Sequence, residues 1–239
     1  MNIQRQLLVP ALVAGLLSAA LSGCGGAGTQ PGDHATSGPT TRAQPATPTT
    51  AYQVQSHVVS VLNGTKSVYV KGSYTWPHDK VTVNIGLLQS GQMAGLIDND
   101  GLPMTVIDVG GKMYVKLTSA YAAYYHHTGC TPVCGKYAIY PRSRAAGLVR
   151  SIGVKSTLNA LTNMANDLFS NPIHTTFHGQ PALQMMANGY DRPGAYLIVA
   201  ATPEGLPLEA VDPGLFRLTF SKWNSVPAPT APPKSKIHR

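Results

Sequence analysis

Ten short runs of alternating apolar side chains, cut off from one another by turn residues, commit this chain to an antiparallel sheet. The first five occupy residues 68–75, 80–89, 92–97, 102–109 and 112–117. Alternation with period two marks half-buried strands. Ser90-Gly91, Asn99-Asp100-Gly101 and Gly110-Gly111 separate these runs at hairpin distances and supply the positive backbone angles that tight hairpins need, so a meander follows. Five more runs, at 173–178, 182–187, 195–201, 207–211 and 216–223, repeat the pattern.

A meander leaves edges and one face bare and needs a cover. Helical spacing supplies it. In residues 51–63 the apolar positions Val54, Val58, Val61 and Leu62 follow Thr49 and Thr50, either of which can cap. Helical signals return at 118–126, 143–152 and 155–169, the last carrying Leu158, Leu161, Met164, Ala165 and Leu168 on one side. The fold class expected is α+β, with about ten strands and helices packed on one side.

The N-terminus carries an address. Arg5 precedes an uncharged apolar run over residues 7–21, and Leu21-Ser22-Gly23-Cys24 closes it. A charged start, a short apolar core and small residues before the cut are the parts of a cleavable secretory signal, and the core is too short to span a bilayer. The cysteine in the Leu-small-small-Cys order of a bacterial lipobox makes residues 1–23 a lipoprotein signal peptide and Cys24 the site of lipid attachment, with the mature chain on the extracytoplasmic face of the cell membrane. Two or more acyl chains on Cys24 anchor stably where one is marginal.

Residues 24–50 continue as a Gly-, Pro- and Thr-rich stretch that reads as a disordered tether. Residues 227–239 repeat that character with a basic end and read as a disordered tail, leaving 51–226 as one domain large enough for a core. The formal charge is +8, and three of those charges, Lys234, Lys236 and Arg239, lie in the tail. Such a tail can touch anionic head groups or wall polymers, or simply be solvated. Elsewhere the cations lie scattered along the sequence, and with no basic cluster a nucleic-acid partner is not expected.

The strand Gly111-Lys112-Met113-Tyr114-Val115-Lys116, the Tyr-rich segment after it, Gly135-Lys136-Tyr137 leading to Tyr140-Pro141, and the closing Leu218-Thr219-Phe220-Ser221-Lys222-Trp223-Asn224 carry a family likeness. With the lipobox, they resemble the LppX/LprG group of actinobacterial lipoproteins, whose fold is similar to the LolA carrier. The resemblance covers roughly residues 52–233 and rests on structural motifs. It implies a strongly curved, half-barrel-like antiparallel sheet whose concave face the helices cover, with space between them for acyl chains, and hence a carrier of lipid or lipoglycan. Residues that could line such a cavity are Val81, Val83, Ile85 and Leu87 on one alternating set and Met104, Val106, Met113, Val115 and Leu117 on neighbouring strands; an ordinary sheet core would contain the same side chains. Met104, Met113, Met185 and Met186 suit an adaptable wall, because unbranched thioethers repack readily, and simple core filling explains them equally well.

The chain departs from the group in the insertion Cys130-Thr-Pro-Val-Cys134. Outside the cytoplasm these two cysteines should pair as a disulfide. With His126 and His127 they also make four soft or borderline ligands within nine residues, a set that could hold zinc or copper, although the spacing is irregular and exported thiols oxidise. No metal or cofactor is expected. A Gly-x-Gly-x-x-Gly match at Gly23 follows no strand, and no nucleophile elbow or Walker loop occurs. Asp98, Asp100 and Gly101 echo a calcium loop, but Leu96 and Ile107 fill its first and last ligand positions and a hairpin turn is expected. His174 and His178 fall in strand-like sequence, and most carboxylates fall at predicted turns. The expected protein is not an enzyme: it binds or carries a lipid or other amphiphile at the envelope. The alternative is a sensor or interaction module with a filled core.

Overall fold

The computed structural model describes residues 47–76, 79–120, 123, 135–143, 152–168, 170–187 and 193–238, apart from the side chains at 76, 79 and 117. The chain groups into two units, Met1–Arg42 and Ala43–Arg239, and the first, with the signal segment and Cys24, lies outside the described residues.

The second unit opens with α1 (Ala51–Gly64). Of the two threonines offered as caps, Thr50 is used: its hydroxyl accepts from the Gln53 amide, and the Gln53 side chain accepts from the Thr50 amide in return, a capping box. Val54, Val58 and Leu62 recur at four-residue spacing and are at most 2% exposed. Burying each contributes about 1.5–3 kcal/mol. The helix stops where Thr65 turns back, its amide and hydroxyl bonding the Leu62 and Val61 carbonyls.

Six strands follow: β1 (Ser67–Trp76), β2 (Asp79–Leu88), β3 (Met93–Asn99), β4 (Leu102–Val109), β5 (Lys112–Leu117) and β6 (Tyr137–Pro141). The β3–β4 turn has positive φ at both Asp100 and Gly101, and the Asp98 carboxylate accepts from the Gly101 amide, which makes the expected hairpin. After α2 (Val154–Asn166) come β7 (Ile173–Phe177), β8 (Gln180–Met186), β9 (Tyr196–Ala200), β10 (Pro207–Asp212) and β11 (Phe216–Ser221). Among the described residues the eleven strands form one open sheet in the order β6-β5-β4-β3-β2-β1-β11-β10-β9-β8-β7, with every pairing within it antiparallel. It is two meanders joined at a central seam between β1 and β11, where Tyr69 faces Ser221 and Tyr74 faces Phe216. The strand beyond the ten expected is β6, which ends in Pro141. Of the expected helix at 118–126, residues 119, 120 and 123 are helical and 121, 122 and 124–126 lie outside the described residues, as do 144–151 of the expected helix at 143–152.

One hydrophobic cluster unites Val54, Val58 and Leu62 of α1, Leu161, Met164 and Ala165 of α2, and the inward side chains of the sheet from Met113 to Met185. Gln55 of α1 donates to the Asn166 carbonyl at the end of α2.

The disordered tail expected at 227–239 needs correction. Residues 222–238 form an ordered strap. Asn224 ties the strap to the α1–β1 corner, accepting from the Lys66 amide at 2.6 Å and donating to the Ser67 carbonyl, and the Val226 amide donates to the Ser67 hydroxyl. Val226 then lies over Gly86, where a β-carbon would stand 2.7 Å from its Cγ1. The strap ends in a 3-10 turn, Lys234–Lys236, and Ile237 bridges Tyr137 of β6 in parallel, with the His238 amide donating to the Tyr137 carbonyl. From β2 to a position outside β6 is five strand spacings, roughly 24 Å. Eleven extended residues reach roughly 36 Å, enough to pass β3, β4, β5 and β6.

It crosses on the outward face. Gly86, Ala94, Ile107, Tyr114 and Ile139 are cross-strand partners and share the side opposite the core. Ile85, Gly86 and Leu87 are all buried, as are Met113, Tyr114 and Val115; three consecutive buried residues require cover on both faces of a strand. Composition misled because proline, which cannot extend a ladder, is well suited to a strap that lies across one.

Candidate functional site

Beneath the seam lies an apolar cavity of about 280 Å³. Its floor is Val70, Tyr74 and Thr75 of β1 with Val83, Ile85 and Leu87 of β2. Leu215, Phe216 and Leu218 arrive from the β10–β11 turn and β11, and Ile152, just before α2, forms the opposite wall with Ser156, Thr157 and Ala160 of its first turns. Leu215 is 41% exposed and marks the rim, where the Thr75 amide donates to its carbonyl at 2.7 Å. Burial pushes the Tyr74 phenol up to about 12, so it stays a neutral donor within this wall.

The sequence-derived lining divides. Val83, Ile85 and Leu87 reach the cavity. Val81, Val106, Met113 and Val115 are buried in the surrounding core, and Met104 is half-buried against it. Leu117 faces Met104 in the backbone register, with its side chain outside the description. Cys130 and Cys134, with His126 and His127, also lie outside the described residues. What the strand patterns could not supply was the contribution of β11, because nothing local says that Phe216 and Leu218 pair with Tyr74 and Gly72 from the far end of the chain.

Ser156 also lines a second space of about 480 Å³ formed by Gln89, Ser90 and Gly91, Arg142, Gly153–Ser156 and Asn159. The first turn of α2 opens into it with Gly153 at the N-cap, no side-chain cap and no acidic residue. Arg142 donates to the Gly91 carbonyl and lies 3.0 Å from Asp108 Oδ2, an ion pair without the alignment of a hydrogen bond. Asp108 is 1% exposed, and its burial raises the carboxyl pKa despite the opposing pull of Arg142. Between the ordinary value near 3.8 and the raised folded value, the folded state holds a proton that the unfolded chain has lost. Stability therefore falls as pH rises through that window. Asp108→Asn should be more stable than the parent at about pH 7, with the difference vanishing at about pH 3. Urea melts at both pH values check this, and a pH-independent difference would refute it.

No family model and no curated protein matches the sequence. Among solved structures, the chain is similar to an uncharacterized conserved protein from Thermus thermophilus, at 9% identity and a TM-score of 0.35 over 79% of this chain and 98% of that one. It is similar also to MucB in complex with MucA(peri), at 14% identity and a TM-score of 0.34, and to a chain of the Pseudomonas aeruginosa MucA/MucB complex, at 12% and 0.30. The first covers 78% of this chain and the second 79%, and this chain spans 60% of each of those chains. Scores this low carry neither activity nor partner across. Among the described residues no helix is long and apolar enough to cross a membrane.

Proposed function

We propose that this chain is an exported, lipid-anchored binding protein that acts without catalysis and takes the apolar part of an amphiphile into the cavity between β2-β1-β11 and α2, the helices closing the sheet's concave face. The observation that carries the reading is the apolar lining of that cavity, which Val83, Ile85 and Leu87 share with Phe216 and Leu218. Its size limits the ligand. An apolar cavity of about 150 Å³ accepts one benzene. The 280 Å³ here takes one short acyl chain or a small ring system, and the paired chains of a membrane lipid do not fit. The polar end of the ligand faces the adjoining space at Arg142, Lys155 and Asn159. In this reading Cys24 holds the protein to the membrane, Cys130 and Cys134 form a disulfide, and the likeness to the LppX/LprG group extends to lipid handling.

The test is mass spectrometry of lipids co-purifying with the exported Cys24→Ser chain, prepared without detergent. A stoichiometric single-chain amphiphile is expected from the parent and none from Val83→Phe, whose ring fills the cavity. A second reading, a sensor or interaction module, is favoured by a volume just below the roughly 300 Å³ at which small-molecule pockets begin. An empty parent protein would establish that reading in place of the first.

A further inference from the structure

Acidic residues are absent from two long stretches of the sequence. Between Asp108 and Asp167 there is none against seven Lys and Arg, and after Asp212 there is none against five. The fold brings these stretches together. The first supplies β5 and β6, the second supplies the strap, and Ile237 bridges Tyr137 where they meet.

Lys112 and Lys116 flank Tyr114 by two residues each and so share its outward face. Lys136 directly precedes β6, and Lys234 and Lys236 stand in the turn that ends the strap. Four of these lysines are exposed and Lys116 is half-buried. The nearest carboxylate in sequence, Asp108 on β4, is turned to the core and held by Arg142. Among the described residues none of the five lysines has an acidic partner within ion-pair distance. Gathering like charges opposes folding unless an outside anion answers them. Ile139, on the same face as Tyr114, is 43% exposed.

We propose that this β5–β6–strap surface docks the protein on an anionic lipid membrane, the lysines meeting head-group phosphates and Ile139 entering the head-group layer. Lysine is a point charge suited to a diffuse anionic surface, whereas nucleic acids are read by arginine forks and stacked aromatic rings. All five cations here are lysines, and of the uncharged side chains sharing the face Tyr114 is buried and Tyr137 half-buried, while Ile139 is exposed. The proposal is independent of the cavity, so an empty cavity leaves it intact.

The test uses the full exported chain with Cys24→Ser, so that no acyl anchor contributes. Vesicles are phosphatidylcholine alone or with about 30% phosphatidylglycerol. Co-sedimentation is expected with the anionic vesicles alone and should weaken as salt shortens the screening length from roughly 30 Å at 0.01 M to 8 Å at 0.15 M. At about fivefold per lysine, Lys112→Gln/Lys234→Gln should lose about 25-fold in partitioning, and so should Lys116→Gln/Lys236→Gln. Lys66→Gln/Lys80→Gln, elsewhere on the domain, should bind as the parent does. Equal binding to neutral vesicles, no binding, or an equal loss in the control pair would overturn the proposal. So would lysine-dependent binding of a DNA duplex in the absence of vesicle binding, which would assign the surface to nucleic acid.

Discussion

Gly72→Ala should lower the melting temperature by about 10 °C or leave the protein insoluble. Gly72 sits on the seam opposite Leu218, with φ at +150°. A β-carbon there would collide with the Arg217 carbonyl oxygen and stand 2.9 Å from the Leu218 Cα. Both obstacles are backbone, so the only relief is to part β1 from β11, and with them the joint between the two meanders. The loss should exceed about 3 kcal/mol, and 1 kcal/mol shifts a domain of this size by roughly 2–4 °C. Gly95→Ala makes a matched test in the β2–β3 pairing, where the new carbon would meet the Asn84 carbonyl and lie 2.8 Å from the Ile85 Cβ. Gly101→Ala is the control: its neighbourhood is open, so its cost is confined to the strain of φ +81° at a turn. Thermal melts of the three should rank the seam and sheet glycines well below the turn glycine.

Ending the chain at Ser225 should cost about 4 kcal/mol and increase self-association. Without Val226 and the segment after it, the outward side of Gly86 opens to water and β6 loses its Ile237 bridge. The energy follows from losing the burial of Pro232 and the partial burial of Val226 and Ile237, at up to about 1.5–3 kcal/mol each. Denaturant midpoints and light scattering of the truncated and complete chains measure the two effects. If the strap were solvated, as its composition alone suggests, neither would change.

Much of the sheet could be read from local sequence because its hairpins are local. Asn99-Asp100-Gly101 and Gly110-Gly111 announce their turns, and Val81, Val83, Ile85 and Leu87 announce an inward face by simple alternation. The cap at Thr50 was equally plain, since Gln53 stands three residues on. What escaped were interactions between distant residues and composition without periodicity. The β1–β11 pairing brings Leu218 opposite Gly72, and no pattern in either strand names the other. The cavity inherits that gap: its β2 wall was legible, and its β11 and α2 walls were not. The strap hid behind prolines that usually signify disorder, and the lysines appeared scattered because their clustering exists only after β6 meets Ile237.

Since β1 pairs with β11, the middle of the sheet is the last part that synthesis can supply. Each half is a succession of hairpins between sequence neighbours, and hairpins close in microseconds. The seam joins Tyr69 to Ser221, about 150 residues apart, and must wait for nearly the whole chain. Until β11 emerges, β1 offers a ten-residue edge with no partner on that side. A chain halted short of β11 thus carries its stickiest surface at the centre of its future core, and how long it lingers there governs its tendency to aggregate more than the strength of the finished sheet does.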